Sequence, residues 1–382
     1  MNVITTTGAL EDFCASACNA SYLTVDTEFM REKTYFAHLC LIQAATPEAS
    51  VIIDPLADDL DLSAFFSLLS EPGLVKVFHA ARQDIEIFVK LTGKVPAPLF
   101  DTQVAAMVFG YGDQVGYEPL VRDLTGIQID KGSRFTDWAR RPLSDKQLDY
   151  AMGDVTHLRT VYEKLLQRLD QTGRRSWVEE EMNALLDPDL YRTLPDDAWQ
   201  RLKLRNPKTR ELGPILALAA WREREAQSRD IPRARILKDE AIFELARVQP
   251  ETTKDLGKLR SIPQGFERSA VARDIVSAIA AGKAMAPDQL PVLERKPRES
   301  APPDVVDLLR VLMKRQSEKH DVAPKLLAVA SDLEKIALDD NADVPALRGW
   351  RREVFGDMAL KLKRGEIALS LSGKRVSVRE LS

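Results

Sequence analysis

Between positions 20 and 100 the apolar residues fall in short β-branched or aromatic runs separated by polar breaks. Tyr22–Phe29 (YLTVDTEF), Tyr35–Ala45 (YFAHLCLIQAA) and Val51–Asp54 (VIID) read as three strands. The links between them are short. That fits an antiparallel meander, because parallel neighbours need a crossover of a dozen or more residues. An apolar helical stretch follows at Leu60–Leu69. Leu74–His79 (LVKVFH) reads as a buried strand running into a helix over Ala80–Leu91. Leu99–Phe100 reads as one more short strand, with Asp101 placed to cap the next helix. Three antiparallel strands followed by strand–helix units predict an α/β domain with a mixed sheet.

From Ser144 the period changes. Ser144-Asp145-Lys146-Gln147 is a capping-box pattern, and it opens a helix expected to reach about Leu169. After position 170 the whole chain reads as helical, with apolar spacings of three and four punctuated by Pro195, Pro207, Pro214 and Pro232. Met285–Asp304 holds five prolines among alternating charges and reads as a linker. A weak internal repeat aligns Arg229–Ala246 with His320–Ala337 at a shift of 91 residues, Asp230 matching Asp321 and Ile242 matching Leu333. The expected organisation is a first domain at 1–170, a helical connector at 171–205, a helical module at 206–284, a Pro-rich linker at 285–303 and a second helical module at 304–382.

Composition narrows the class. A chain of 382 residues is too long for one compact core. Its 45% hydrophobic and 29% charged residues are ordinary for a folded soluble protein. No apolar run approaches the roughly 20 residues that span a bilayer, and the opening MNVITTTGAL has no basic leader before an apolar core. No membrane association is expected. Three cysteines make no disulfide framework, and Cys14 and Cys18 lack a second pair to complete a zinc set. A reducing, cytoplasmic setting is the expectation. Charge is uneven. Residues 1–170 carry 15 Lys/Arg against 24 Asp/Glu, a net of −9, and residues 201–285 carry 18 against 11, a net of +7. An acidic front and a basic middle suit a metal-binding domain joined to a polyanion-binding one.

Four acidic positions carry candidate chemistry. Asp26 and Glu28 are two apart on a strand, so both carboxylates project from one face of an apolar run, where ionised groups need neutralising. Asp84 follows the buried strand LVKVFH at the start of the next helix. Tyr150 and Asp154 are four apart on the capped helix and share a face. Each signal alone is as readily structural. Together they offer the hard oxygen ligands that Mg²⁺ or Mn²⁺ takes, in the number that a two-ion phosphodiester displacement requires.

The order DTE, HAARQD, YAMGD resembles the DEDD exonuclease superfamily in its tyrosine-bearing branch; the histidine branch would place His five before the last acid, where position 149 is Asp. Within that branch Phe135–Asp154 and the tail are similar to the ribonuclease D family, and the two repeats resemble HRDC modules. The resemblance covers nearly the whole chain. It implies a ribonuclease H-like α/β exonuclease domain with a mixed sheet, followed by two all-α HRDC-like domains. It implies 3′-to-5′ hydrolysis of RNA that releases nucleoside 5′-monophosphates, with transfer RNA precursors and other small stable RNAs as substrates. Two divalent ions, Mg²⁺ or Mn²⁺, would be held by Asp26, Glu28, Asp84 and Asp154. Asp26 would bridge both, Asp84 would act through water, and Tyr150 would orient the attacking water. Many superfamily members carry Asn and an aromatic near the third acid, where this chain has His79 and Gln83; neither change removes a ligand.

Outside that set, Arg229, Arg233, Arg235 and Lys238 surround the helix break at Pro232 and are the best phosphate-binding candidates. Lys131, Arg134, Arg140 and Arg141 precede the catalytic helix and could also meet phosphates. The second module replaces Arg235 by Leu326 and Lys238 by Val329, so it is expected to close a ring against the first domain. His38, inside an apolar run, is expected to pack or hydrogen-bond. A monomer is favoured. A DNA exonuclease of the same fold and a non-catalytic RNA-binding protein are the alternatives; no GxxxxGK[ST] loop accompanies the site, and the intact acidic set argues against an idle protein.

Overall fold

The computed structural model describes residues 2–129, 132, 136–291 and 300–381. A six-stranded sheet runs β1 (Val3–Ile4), β4 (Ser50–Ile53), β3 (His38–Ala45), β2 (Tyr22–Met30), β5 (Val75–Phe78), β6 (Leu99–Asp101). The centre is the expected antiparallel meander of β2, β3 and β4, and β5 and β6 add in parallel on the far side of β2. Strand β1 pairs parallel with β4 and is too short, at two residues, to show as a run in the sequence. Alternation assigns the faces. Leu23 and Val25 turn toward α1 (Thr7–Ala17), α2 (Ser63–Leu68) and α3 (Arg82–Thr92) in one core. Tyr22 and Thr24 turn to the other face, under α6 (Asp145–Thr172). On that same face lie α4 (Thr102–Met107) and α5 (Tyr117–Thr125). Full burial of Leu23, Ile42, Ile53 and Phe88 contributes about 1.5–3 kcal/mol per side chain.

Helix α6 begins where the capping box places it. The Gln147 backbone N–H donates to Ser144 Oγ at 3.4 Å, and the Ser144 backbone N–H donates to the Gln147 side chain at 3.0 Å. Its buried stripe, Ala151, Val155, Leu158, Tyr162, Leu165 and Leu169, keeps the three-and-four spacing across the sheet.

The helical region confirms the repeat in its order of elements. The first module is α8 (Thr209–Ser228), after the connector helix α7 (Arg175–Ala184), then α9 (Arg233–Ile236), α10 (Asp239–Val248), α11 (Thr253–Leu256) and α12 (Ala270–Lys283). The second has α13 (Pro303–His320), α14 (Pro324–Leu327) and α15 (Ala330–Leu338), with α14 and α15 each starting 91 residues after α9 and α10. It finishes on α16 (Gly349–Arg351), a π-helical turn and α17 (Asp357–Lys363). Helices α8 and α12 cross so closely that a Cβ on Gly213 would lie 2.0 Å from the Gly282 carbonyl oxygen.

Three expectations are corrected. The run Tyr35–Ala45 is a strand only from His38, because the backbone N–H groups of Tyr35 and Phe36 are taken by the Asp230 carboxylate at 3.1 and 2.9 Å. His38 is exposed at that strand's start and is not packed. The chain does not stay helical to its end: β7 (Ile367–Ser372) and β8 (Arg375–Glu380) form a hairpin, where IALSLS and RVSVRE alternate with period two around Gly373 at φ +60°. Of the Pro-rich linker, positions 292–299 lie outside the described residues. Among the described residues no helix is long and apolar enough to cross a membrane.

Both modules dock on the α/β domain. In the first, Arg233 donates to Glu223 and to the Tyr35 hydroxyl, which itself donates to Glu223. In the second, Ala323 N donates to the Met107 carbonyl at 2.7 Å and Arg168 pairs with Asp321 at 3.2 Å, while Trp350 stacks on Trp177 of the connector helix α7 with centroids 4.4 Å apart and planes 9° from parallel.

Candidate active site

Strand β2 supplies the first two acids. Its even-numbered residues face α6, and Thr24 fixes the contact by donating to the Val155 carbonyl of α6 at 3.0 Å. Two and four residues on, Asp26 and Glu28 therefore rise toward the α6 turn that carries Asp154. Oxygens of Asp26, Glu28 and Asp154 all lie within 4.8 Å of one another. They sit in a cleft of about 980 Å³ whose walls include His79, Gln83, Tyr117, Trp138 and Tyr150.

Asp84 reaches the same cleft from the other side of the sheet. It stands on the first turn of α3, 7% exposed, and its Oδ1 accepts a 2.5 Å hydrogen bond from Thr27, the odd-numbered residue between the two β2 acids. It is outside the three-carboxylate cluster, yet it feels Asp26. Burial, then the charge of Asp26, pushes the Asp84 carboxyl well above the usual range. Asp26 is pushed well above it too, by burial and then by Asp154, with only the Thr27 backbone N–H pulling the other way. Several hard carboxylate oxygens converging where their own repulsion opposes ionisation are a donor set that fits Mg²⁺ or Mn²⁺. Tyr150, one turn before Asp154 on α6, forms part of the cleft wall beside the Trp138 ring, 6.2 Å between centroids.

Comparison with known proteins decides the family. The pattern of 3′-5′ exonucleases matches residues 1–170 and that of the HRDC domain matches residues 212–279. Ribonuclease D of Nitrobacter hamburgensis is 50% identical over 376 residues, covering 98% of both chains. Ribonuclease D of Jannaschia sp. is 49% identical over 385 residues, covering all of both. The chain belongs to the ribonuclease D family. It is a 3′-to-5′ exoribonuclease. The crystal structure of Escherichia coli RNase D, described as an exoribonuclease involved in structured RNA processing, superposes with a TM-score of 0.81 at 28% identity, covering 96% of this chain and 99% of that one.

Around the carboxylate cluster the structure adds residues that sequence reasoning missed. The Tyr117 hydroxyl donates to the carbonyls of Gly153 and Asp154 at 3.1 and 2.8 Å, pinning the α6 turn under Asp154. Burial and the nearby Asp154 hold that phenol neutral, well above its usual range. Asp101 caps α4 as expected, but it does more. Its carboxylate also accepts from Ala80 N and Ala81 N at 3.0 and 2.9 Å, holding Ala80 at φ +57° and so fixing the entry to α3 and Asp84. Nothing local marks Tyr117 or this second role, because both partners are distant in sequence. His79 lies on the cleft wall, its Nδ1 3.0 Å from Thr102 Oγ1 and its ring beside Tyr117; burial lowers its pKa, so it is neutral.

The basic candidates are scattered. Arg141 is committed to Asp54 through two 2.6 Å contacts and to the Cys40 and Trp138 carbonyls, while Arg140 is exposed. Arg233 is half-buried against Glu223 and Tyr35. Arg229 is exposed, 3.8 Å from Glu225, and Arg235 and Lys238 are exposed. Lys131 and Arg134 lie outside the described residues.

Proposed function

We propose that Asp26, Glu28, Asp84, Tyr150 and Asp154 form a two-ion phosphodiesterase site that removes nucleoside 5′-monophosphates from the 3′ end of RNA. The observation that carries this is the meeting of three carboxylates within 4.8 Å in a cleft whose wall also holds Asp84 and Tyr150. Divalent ions in such a site lower the pKa of water and offset charge on the attacking and leaving oxygens. Asp26, flanked by Asp154 and Asp84, would be the shared ligand; Glu28 and Asp154 would help hold one ion and Asp84 would serve the other. Tyr150 would orient the attacking water by hydrogen bonding through its hydroxyl, and a phenol is too weak a base to deprotonate it. Tyr117 keeps Asp154 aimed, and Asp101 keeps Asp84 aimed.

The substrates are structured RNAs with free 3′ ends, transfer RNA precursors among them, in keeping with the structured RNA processing of the Escherichia coli relative. The working arrangement is a monomer in the cytoplasm: the exonuclease domain at 1–170, a connector to 205, HRDC-like modules at 206–284 and 304–382, and the linker between them. Arg229, Arg235 and Lys238 add phosphate contacts on the first module, with Arg233 secondary because of its ion pair; Lys131 and Arg134 are further candidates from the sequence. A time course on a 3′-tailed RNA and the matched DNA, with Mg²⁺, with Mn²⁺ and with chelator, tests the reading. Expected are metal-dependent release of 5′-monophosphates and a clear preference for RNA. Equal rates on DNA, or full activity in chelator, would overturn it.

A further inference from the structure

A second cleft, of about 530 Å³, opens between the α/β domain and the first helical module. That is within the range of roughly 300–1,000 Å³ usual for ligand pockets. The loop after β2, the outer side of α3, the connector around Leu190–Pro195 and the start of α9 form it. Six cations line it: Arg31, Arg82, Lys90, Arg192, Arg201 and Arg233; among the described residues of its wall Glu86 is the one carboxylate.

Two of these cations are neutralised. Arg31 forks onto Glu86 at 2.6 and 3.1 Å, and Arg233 is held by Glu223. The other four are steadied by neutral groups. Arg82 donates to the Leu190 carbonyl at 3.1 Å, Arg192 to the Gly93 carbonyl at 2.8 Å and Arg201 to the Thr193 hydroxyl at 2.8 Å, while Lys90 Nζ sits 3.8 Å from the centre of the Phe36 ring. Such partners fix the side chains and leave the charge uncancelled. Each arginine has five donors and uses one in these contacts. By contrast Arg122, Arg175, Arg310 and Arg352 elsewhere on the molecule are matched to Glu118, Asp170, Asp307 and Asp357. Four uncancelled cations in one concavity are a site for a polyanion, and guanidinium forks match phosphate oxygens.

Arg31 belongs to the walls of both clefts, so the carboxylate site and the cationic site adjoin. A strand with its 3′ end among the carboxylates would pass Arg31 on its way into the second cleft. We propose that this second cleft binds phosphates of the RNA strand on the 5′ side of the scissile bond. The proposal rests on the RNA-hydrolysing reading of the first cleft. It assigns affinity for long RNA to the joint between domains, with no sequence preference, since phosphate contacts read no bases.

Binding measured in chelator separates this site from hydrolysis. Fluorescence anisotropy of a labelled single-stranded RNA 20-mer, titrated with full-length protein, compares wild type with the triple reversal Lys90→Glu/Arg192→Glu/Arg201→Glu. Losing three contacts should lower the slope of log K against log[salt] by about 2, from roughly 0.7 per contact on a single strand, and should weaken binding at least ~10-fold at low salt. The conservative set Arg192→Lys/Arg201→Lys, which keeps the charge, should retain most of the affinity and shows whether a reversal merely disrupted the joint. Reversal of Lys374 and Arg375 on the hairpin, which line neither cleft, controls for added negative charge and should change little. Inorganic tripolyphosphate should compete with the 20-mer on wild type and much less on the triple variant. An unchanged salt slope in a folded triple variant, or an equal loss from the hairpin variant, overturns the proposal. Tripolyphosphate that binds the cleft without displacing RNA would also overturn it, leaving a site for free anions. None of these outcomes depends on turnover, so the active-site reading stands or falls separately.

Discussion

Asp26, Glu28 and Asp154 crowd three carboxylates within 4.8 Å, and burial with mutual repulsion drives Asp26 up. At the joint between domains Glu223 is wholly buried, yet its pKa falls. Burial would raise it, but hydrogen bonds from Arg233, Tyr35 and Gln227 outweigh that. The two sites bury the same chemical group and treat it oppositely. Where the fold supplies its own cation, the carboxylate is an anchor. Where it packs acids against acids, the balancing charge comes from outside, which is why the second arrangement marks function and the first marks architecture.

Asp26→Asn tests that contrast with the largest effect. Removing the charge that touches both Asp84 and Asp154 should cut kcat by roughly 10³-fold, the upper range for loss of one electrostatic contributor. The metal-free protein should melt no lower than wild type, because repulsion is relieved. Near-normal turnover by the folded variant would break the assignment. Arg233→Met should behave in the reverse way. It strands Glu223 in the joint, where breaking a buried pair costs about 3–5 kcal/mol. Arg233 is 27% exposed, so about 2–3 kcal/mol is expected by denaturant unfolding, largely recovered by adding Glu223→Gln. A stability equal to wild type would mean that the pair does not hold the joint. Smaller again is Tyr150→Phe. It should slow kcat about 10- to 100-fold with RNA affinity and metal binding unchanged, because only the hydroxyl goes. Loss of affinity at constant kcat would make Tyr150 a binding residue.

Much of this was visible in the chain itself. Period-two alternation placed Asp26 and Glu28 on one face, the capping box located α6, and the 91-residue shift anticipated α9 and α10 repeated as α14 and α15. These depend on local geometry, which sequence encodes directly. Contacts set by tertiary placement were not legible. Thr27 reads as a spacer between two acids, yet it holds Asp84 from 57 residues away. Arg233 reads as a free cation beside a helix break, but Glu223 reaches it from α8 and Tyr35 from the segment just before β3. The matched pair Asp230 and Asp321 reads as repeat punctuation. In the fold both sit at positive φ and both touch the α/β domain, one at the Tyr35–Phe36 backbone and the other beside Gly110, where a Cβ would come within 2.1 Å of its carboxylate. The four cations of the second cleft, spread from 82 to 201, form no run at all.

The smallest effect distinguishes the two sites by the sign of their pH dependence. Asp26 and Asp84 have folded pKa values raised above the unfolded value of about 3.9, so the folded state holds protons more tightly. Their contribution to stability is complete below that value and is lost as pH rises through the folded values. Glu223 is lowered, so its contribution is present above about 4.3 and is lost as pH falls through its folded value. His79, lowered by burial from about 6.5, also loses stability on acidification. The overall curve therefore mixes both signs, and the difference between Asp26→Asn and wild type isolates the carboxylate cluster. In chelator that difference in Tm should be near zero at pH 4 and should grow in the variant's favour toward pH 8. Saturating Mg²⁺ should reverse it at pH 8, because ion binding adds up to about 2.7 kcal/mol at 100 times Kd and the variant loses much of that. The same series on Arg233→Met should show its deficit shrinking as pH falls, since a protonated Glu223 no longer needs the guanidinium. Parallel curves for the two variants would mean that both carboxylate sites are handled alike, and the contrast between anchor and ion site would fail.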